Sequence, residues 1–165
     1  MVLTGFIDLE KKSTLLKRRY YSQGCLIKNE FAIDKEKYFV GMSFISIIEN
    51  NQSNGFSLEF LLGILNSKFA FNWFYTYGKK RGAGVDIGVE KLRTFPLPNN
   101  PNKKIELLVK EISDNKYHGK PSSKLETELN ILVFRLYELR YDEVKVIDPE
   151  FGLSREEYEA IKLEV

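Results

Sequence analysis

Cysteine is almost missing from this chain of 165 residues: Cys25 stands alone, so no intramolecular disulfide can form and no cysteine quartet can hold a metal. That scarcity fits a reducing cytosol, and a cytoplasmic location is expected. Histidine is equally scarce. The single copy, His118, lies in a polar segment far along the chain from Cys25, which excludes a local cysteine–histidine nucleophile and leaves Cys25 as a small buried apolar side chain. No charged-then-apolar leader opens the sequence, so secretion is not expected. Long uninterrupted apolar runs are lacking too. The most apolar stretch, after Ser57, is broken by Glu59, Asn66, Lys68 and Asn72, whereas a helix crossing a bilayer needs ~20 largely apolar residues. A buried helix is expected there, and no membrane partner. There is no internal repeat, low-complexity tract or coiled-coil heptad.

What is present belongs to a globular chain. Hydrophobic residues make up 43% and charged residues 29%, enough for one domain with a single substantial core. The net charge of +2 hides an asymmetry: residues 1–104 hold 16 Lys and Arg against 9 Asp and Glu, a balance of +7, while residues 105–165 hold 9 against 14, or −5. A polyanion is therefore expected on residues 1–104, the core part, with residues 105–165 forming C-terminal helices that pack on that core or elsewhere, the two together making one structural domain.

The organising stretch is Phe56 to Pro98. Leu58, Leu61, Leu62, Leu65, Phe69 and Trp73 recur at steps of three or four, the spacing of one buried helix face. Ser57 is a candidate N-cap with Glu59 in the first turn, and Gly78 a stop, which predicts one helix of about eighteen residues. Phe60, Ile64, Phe71 and Phe74 lie off the stripe, so the helix is apolar over most of its circumference and should be central. Upstream, Cys25–Ile27, Phe31–Ile33, Tyr38–Val40 and Phe44–Ile48 predict short strands in an antiparallel meander. Residues 1–22 carry Lys17-Arg18-Arg19-Tyr20-Tyr21, either a solvated helix face or a basic–aromatic DNA contact. Downstream, Val85–Val89 alternates as a strand would, and Pro101 opens a helix bearing Ile105, Leu108, Val109 and Ile112. Ser123 with Glu126 predicts a capping box for a second helix carrying Leu125, Leu129, Leu132, Val133 and Leu136, and Ser154 with Glu157 another for a short last helix. The fold class expected is α+β: a small, mainly antiparallel sheet around a central apolar helix, then a helical C-terminal part.

The chemistry-bearing feature is Lys79-Lys80-Arg81-Gly82-Ala83-Gly84, which sets three cations beside two glycines that let backbone approach a ligand closely. Phosphate is the matching partner, and a solvated turn is the alternative. Asn51 and Gln52, in the polar loop 50–55, carry amides able to pair with adenine edges, though Asn-rich loops also arise from turn chemistry alone. Arg18, Arg19 and Arg93 complete the set of candidate DNA contacts.

The order of apolar helix, Leu65-Asn66-Ser67-Lys68, aromatic run, glycine-rich basic turn and Phe95-Pro96-Leu97-Pro98 resembles the TaqI-like C-terminal specificity domain of restriction-modification enzymes. The block Leu125–Leu139 looks like that family's closing helix, with Glu138 where the family turn has glycine, so the resemblance spans roughly Tyr38 to Ile147. It implies sequence-specific binding of duplex DNA by a target-recognition domain of a bacterial enzyme. Adenine-N6 methyltransferase domains, often with an endonuclease, would precede it on the same polypeptide and flip and methylate the adenine.

Those activities are not expected of this chain itself. It has no Asn-Pro-Pro-Tyr type motif and no glycine-rich loop for S-adenosylmethionine, and Gly82-Ala83-Gly84 lacks a dinucleotide fingerprint's context. Glu143-Val144-Lys145 is half of a metal-dependent nuclease motif, with no Pro-Asp before it. S-adenosylmethionine and magnesium are implied only for catalytic domains outside the chain. Two rival readings remain: a target-recognition module of a type I specificity subunit, and a protein-interaction module exposing aromatics such as Phe71 and Phe74.

Overall fold

The computed structural model describes residues 14–18, 29, 31–35, 44–48, 55–81 and 84–163. Its centre is helix α1, Leu58–Asn66, capped as its sequence implies: the Ser57 hydroxyl accepts the Phe60 N–H at 3.1 Å, and Glu59 lies in the first turn. Apart from Glu59, every residue from Leu58 to Leu65 is buried. A helix apolar on all sides must have protein on all sides.

The expected single long helix is in fact two. Ser67 is extended, with φ −70° and ψ 160°, and separates α1 from α2, Lys68–Tyr77. One hydroxyl serves both ends: Ser67 Oγ donates to the Ile64 carbonyl at 2.6 Å and accepts the Ala70 N–H at 3.2 Å. Serine competes with the helix by bonding local backbone, and here it restarts the helix with a new phase. Phe74 consequently becomes buried at 1% exposure, with Ala70 beside it. Gly78 ends α2, its N–H donating to the Phe74 carbonyl at 2.7 Å.

Strands β1 (Thr14–Arg18), β2 (Phe31–Asp34) and β3 (Phe44–Ile48) form an antiparallel sheet in the order β2-β1-β3. The strands expected at 31–33 and 44–48 are present, while those expected at 25–27 and 38–40 lie outside the described residues. Two expectations are corrected. Residues 14–18 are a strand rather than a helix face, and the sheet is not a meander, because β1 pairs Leu15 with Ile33 on one side and with Ile47 on the other. A central strand is hydrogen-bonded along both edges, so Thr-Leu-Leu-Lys-Arg holds its place with little β propensity of its own. Phe31, Ile45 and Ile47 are buried in the same cluster as α1, while Ser46 between them is exposed.

Helix α1 packs against β1, β2 and α4 (Lys103–Tyr117), and α4 in turn packs on α5 (Ser123–Leu136). Gly63 permits the α1–α4 approach, since a β-carbon there would stand 2.6 Å from Val109 Cγ2. Helix α4 starts after Asn102, whose side chain accepts the Ile105 N–H at 3.2 Å, and so begins two residues later than the Pro101 start predicted. Ile105, Leu108, Val109 and Ile112 are buried as the spacing implies. The cap of α5 is Ser122 rather than Ser123, its hydroxyl meeting Glu126 Oε1 at 2.9 Å. A second apolar cluster, Phe134, Val144, Phe151 and Tyr158, joins α5 to α6 (Tyr141–Ile147) and α7 (Arg155–Ala160). Ser154 and Glu157 form the predicted capping box of α7. The class is α+β, as expected.

Both α4 and α5 end in a Schellman turn. After α4, the Gly119 N–H donates to the Lys116 carbonyl and the Lys120 N–H to Asn115, with Gly119 at φ 66°. After α5, the Glu138 N–H donates to Arg135 and the Leu139 N–H to Phe134, with Glu138 at φ 54°. Glu138 thus holds a left-handed conformation that suits glycine better.

The run Leu65-Asn66-Ser67-Lys68 turns out to be a junction. The Leu65 carbonyl accepts from buried Asn29 Nδ2 at 2.7 Å. The Asn66 amide pairs with the outer edge of β2 as another strand would, accepting the Phe31 N–H at 2.9 Å and donating to the Phe31 carbonyl at 3.0 Å. The Lys68 N–H donates to Asn130 Oδ1 of α5 at 2.7 Å, and its ammonium meets Asp148 beyond α6. Asn66 and Lys68, two positions apart, therefore tie the sheet to the C-terminal helices.

Candidate nucleic-acid interface

The predicted basic turn is a hairpin. Strand β4, Lys79–Arg81, pairs antiparallel with β5, Gly84–Asp86, in the register Lys79 with Asp86, Lys80 with Val85 and Arg81 with Gly84. Val85 and Ile87 are buried and anchor its second strand beside α2. The strand expected over 85–89 is therefore shorter, and residues Val89–Arg93 form the short helix α3. The cations follow directly on the C-terminal end of α2, where positive charge suits the helix dipole.

Lys79 and Lys80 are exposed, and neither forms a salt bridge among the described residues. The Lys80 ammonium lies over the Tyr75 ring, 5.0 Å from its centroid. Tyr75 and Tyr77 are 44% and 55% exposed, in contrast to the buried Phe74 that precedes them. Each tyrosine packs on an aromatic residue one turn earlier: Tyr75 on Phe71 at 6.1 Å between centroids, and Tyr77 on Trp73 at 5.0 Å. Trp73 is itself packed edge-on against Phe74 and Phe95.

The remaining candidates are distributed. Arg93, half-buried on α3, has its guanidinium 2.9 Å from Glu90, one turn earlier. Arg18 stands at the end of β1, opposite Phe44, on the other sheet. Gly84 opens β5, whereas Arg19, Asn51, Gln52 and Gly82 lie outside the described residues. The structure thus gathers Lys79, Lys80, Arg81 and Gly84 into one hairpin and assigns Arg18 and Arg93 to other elements. Tyr75 and Tyr77 escaped the sequence reading. The signal was there, as two tyrosines close an aromatic run immediately before the cations.

Two further expectations can be placed. Phe74 is buried and Phe71 half-buried, so the protein-docking surface those rings were to present is not formed by Phe74. Glu143 accepts the Arg140 N–H at 2.8 Å at the start of α6, and the Arg140 guanidinium and backbone N–H hold the Glu143 carboxyl below its ordinary pKa. Lys145 donates to the Pro149 and Phe151 carbonyls. Both side chains thus serve helix ends and the following loop. Among the described residues, no group of three or more His, Cys, Asp or Glu could hold a metal ion, and no helix is long and apolar enough to cross a membrane.

The exit from the hairpin is fixed from the far end of the chain. The Phe95 ring lies against Phe69, Trp73 and Phe74 of α2, and the Tyr137 hydroxyl, just past α5, donates to the Pro96 carbonyl at 2.7 Å. Burial raises the Tyr137 pKa well beyond its usual range, so the phenol stays a donor.

An α+β unit with this aromatic helix, basic hairpin and proline-rich exit is a specificity domain: residues 8–97, more than half of the chain, match the TaqI-like C-terminal specificity domain, and the chain belongs to that family. The match begins earlier than the resemblance traced from Tyr38 and stops at Leu97, leaving the block Leu125–Leu139 outside it. The chain is also similar to the type II methyltransferase M.MjaIV of Methanocaldococcus jannaschii, with 28% identity over 108 residues. That alignment covers 64% of this chain and 35% of the relative, so the chain spans about a third of that protein.

Proposed function

We propose that this chain is the target-recognition domain of a type II restriction-modification enzyme and binds duplex DNA sequence-specifically. The observation that carries this reading is the family match over residues 8–97, which contains the whole β4–β5 hairpin. The similarity to a type II methyltransferase favours that setting over a type I specificity subunit. In this reading, adenine-specific methyltransferase domains, with or without an endonuclease, lie outside this chain on the same cytoplasmic polypeptide. S-adenosylmethionine and magnesium belong to them. Residues 1–104 carry the DNA face, residues 105–165 brace it, and the chain alone neither methylates nor cleaves.

Lys79, Lys80 and Arg81 hold phosphates, with Gly82 and Gly84 keeping the hairpin low enough to approach the duplex backbone. Phosphate contacts position the protein, so base readout falls to other side chains, for which Arg18, Arg19, Asn51 and Gln52 are candidates, with Arg93 a further DNA contact. The test is binding of labelled duplexes across a salt series, together with selection from a randomised-site library. Each lost phosphate contact removes about 0.9 from the slope of log K against log salt. Alanine at 79, 80 and 81 together should therefore flatten the slope by nearly three units and weaken all sequences alike. An unchanged slope would make the hairpin solvated surface, and a library without enrichment would remove sequence specificity.

A further inference from the structure

We propose that Tyr75 and Tyr77 belong to the same interface. Tyr75 positions the Lys80 ammonium for a phosphate, and Tyr77 lays its ring against the sugar–phosphate backbone of duplex DNA. The inference rests on the DNA-binding reading above and adds to it the two residues that the charge pattern alone does not indicate.

The physical case begins with exposure. Helix α2 buries Phe74 almost completely yet leaves its neighbours Tyr75 and Tyr77 about half in water, at 44% and 55%. A tyrosine presents a flat apolar ring and a hydroxyl, which suits a surface that alternates deoxyribose faces with phosphate oxygens. Lys79 and Lys80 supply the charge complementary to that surface, and the Lys80 ammonium already sits 5.0 Å over the Tyr75 ring. A ring holds an ammonium through its electron-rich face while leaving the N–H donors on the other side available. Lys80 therefore loses less side-chain freedom on meeting a phosphate than a free lysine would.

Preorganisation extends to Tyr77. Its ring packs on Trp73 at 5.0 Å, and Trp73 packs in turn on Phe74 and Phe95, so the exposed ring rests on the core. Rigid aromatic contact area adds affinity with little ordering to overcome. Trp73 is also the one tryptophan in the chain. A duplex seated on Tyr77 should therefore change its emission.

The test uses the full chain and a labelled duplex of random sequence, titrated at several salt concentrations, with circular dichroism to check that each variant is folded. Tyr75→Leu should weaken binding by about two- to tenfold, the cost of ordering one more side chain, with the salt slope nearly unchanged because Lys80 still neutralises its phosphate. Tyr75→Phe, which keeps the ring face, should restore the affinity. In a Lys80→Ala background, Tyr75→Leu should have no further effect. Tyr77→Ala should weaken binding by about threefold or more through the contact area the ring gives up, without altering the slope, because a ring releases no counterion. Trp73 emission should shift when duplex is added to the parent chain. If the parent binds duplex and both tyrosine variants bind as it does, this inference is overturned while the DNA-binding reading stands. A loss with Tyr75→Leu that persists undiminished without Lys80 overturns the positioning role. A parent chain that binds no duplex overturns both readings.

Discussion

Replacing Glu138 by glycine should stabilise this protein, which is the reverse of what glycine does at most positions. Glu138 sits at φ 54° in the Schellman turn that closes α5. The left-handed region costs an L-residue roughly 1–2 kcal/mol through crowding of its β-carbon. Glycine removes that strain but adds unfolded-state freedom worth about 0.4–1 kcal/mol. The side chain is exposed and forms no salt bridge among the described residues, so no packing is lost. A carboxylate at a helix C-terminus also opposes the dipole, by about 0.3–1 kcal/mol. The net expectation is a gain of about 1 kcal/mol, or about 2–4 °C in Tm for a chain of this size. Gly119, at φ 66° in the matching turn after α4, is the internal control. Gly119→Ala should lose about 1 kcal/mol by the same balance of strain and unfolded-state freedom. Urea unfolding followed by circular dichroism would measure both, with Glu138→Ala separating charge from backbone strain. A Glu138→Gly protein less stable than Glu138→Ala would refute the argument, because the β-carbon would then not be the source of the strain.

Three other outcomes follow from the packing and the ion pairs. Gly63→Ala should destabilise by about 1–3 kcal/mol, because the new methyl group would meet Val109 Cγ2 at 2.6 Å; a neutral urea midpoint would show that α1 and α4 can slide apart freely. Asn66→Ala should cost about 1–3 kcal/mol, since the Phe31 N–H and carbonyl lose their partner, whereas Asn66→Asp can replace the acceptor but not the donor. Lys110 and Lys103 lower the pKa of Glu106, so its folded pKa lies below the unfolded value of about 4.3. Its contribution is present above that unfolded value and is lost as pH falls through the folded pKa. Glu106→Gln should therefore flatten the acid limb of a stability–pH profile below about pH 4.3, and an unaltered limb would remove the pair from the account.

Where local chemistry decided the structure, it could be read from the residues. Ser57 and the Ser154–Glu157 pair cap their helices, the stripe on α4 is buried, and Phe31 and Phe44–Ile48 lie in strands. What could not be read was set by distant partners or by competition at a single residue. Strand β1 exists because β2 and β3 bond to both its edges, which Thr-Leu-Leu-Lys-Arg does not announce. One hydroxyl at Ser67 outweighed the apolar period running through it, and the altered phase of α2 moved Phe74 inward and left Tyr75 and Tyr77 outside. Ser122, Ser123 and Glu126 offered two cap assignments a residue apart, and spacing alone does not separate them. Of the candidate interface, the cations were legible as a cluster. Their hairpin pairing was not, because it depends on a strand partner, and the exposure of the tyrosines before them was not, because it depends on the phase in which Ser67 restarts α2.

The junction at Leu65–Lys68 also bears on the order in which the chain folds. Its bonds join residues 36, 35 and 62 positions apart, and the Lys68–Asp148 contact spans 80. Contacts of such separation form only after the intervening chain has given up its loop entropy, whereas helix turns and the β4–β5 hairpin need no distant partner. The junction therefore closes after its surroundings, as a latch rather than a nucleus. Interactions absent from the transition state govern how fast a protein opens, not how fast it forms. Weakening this latch should leave the refolding rate nearly untouched and speed unfolding, so the long-range bonds of Leu65, Asn66 and Lys68 bear on how long the folded domain lasts more than on how it is reached.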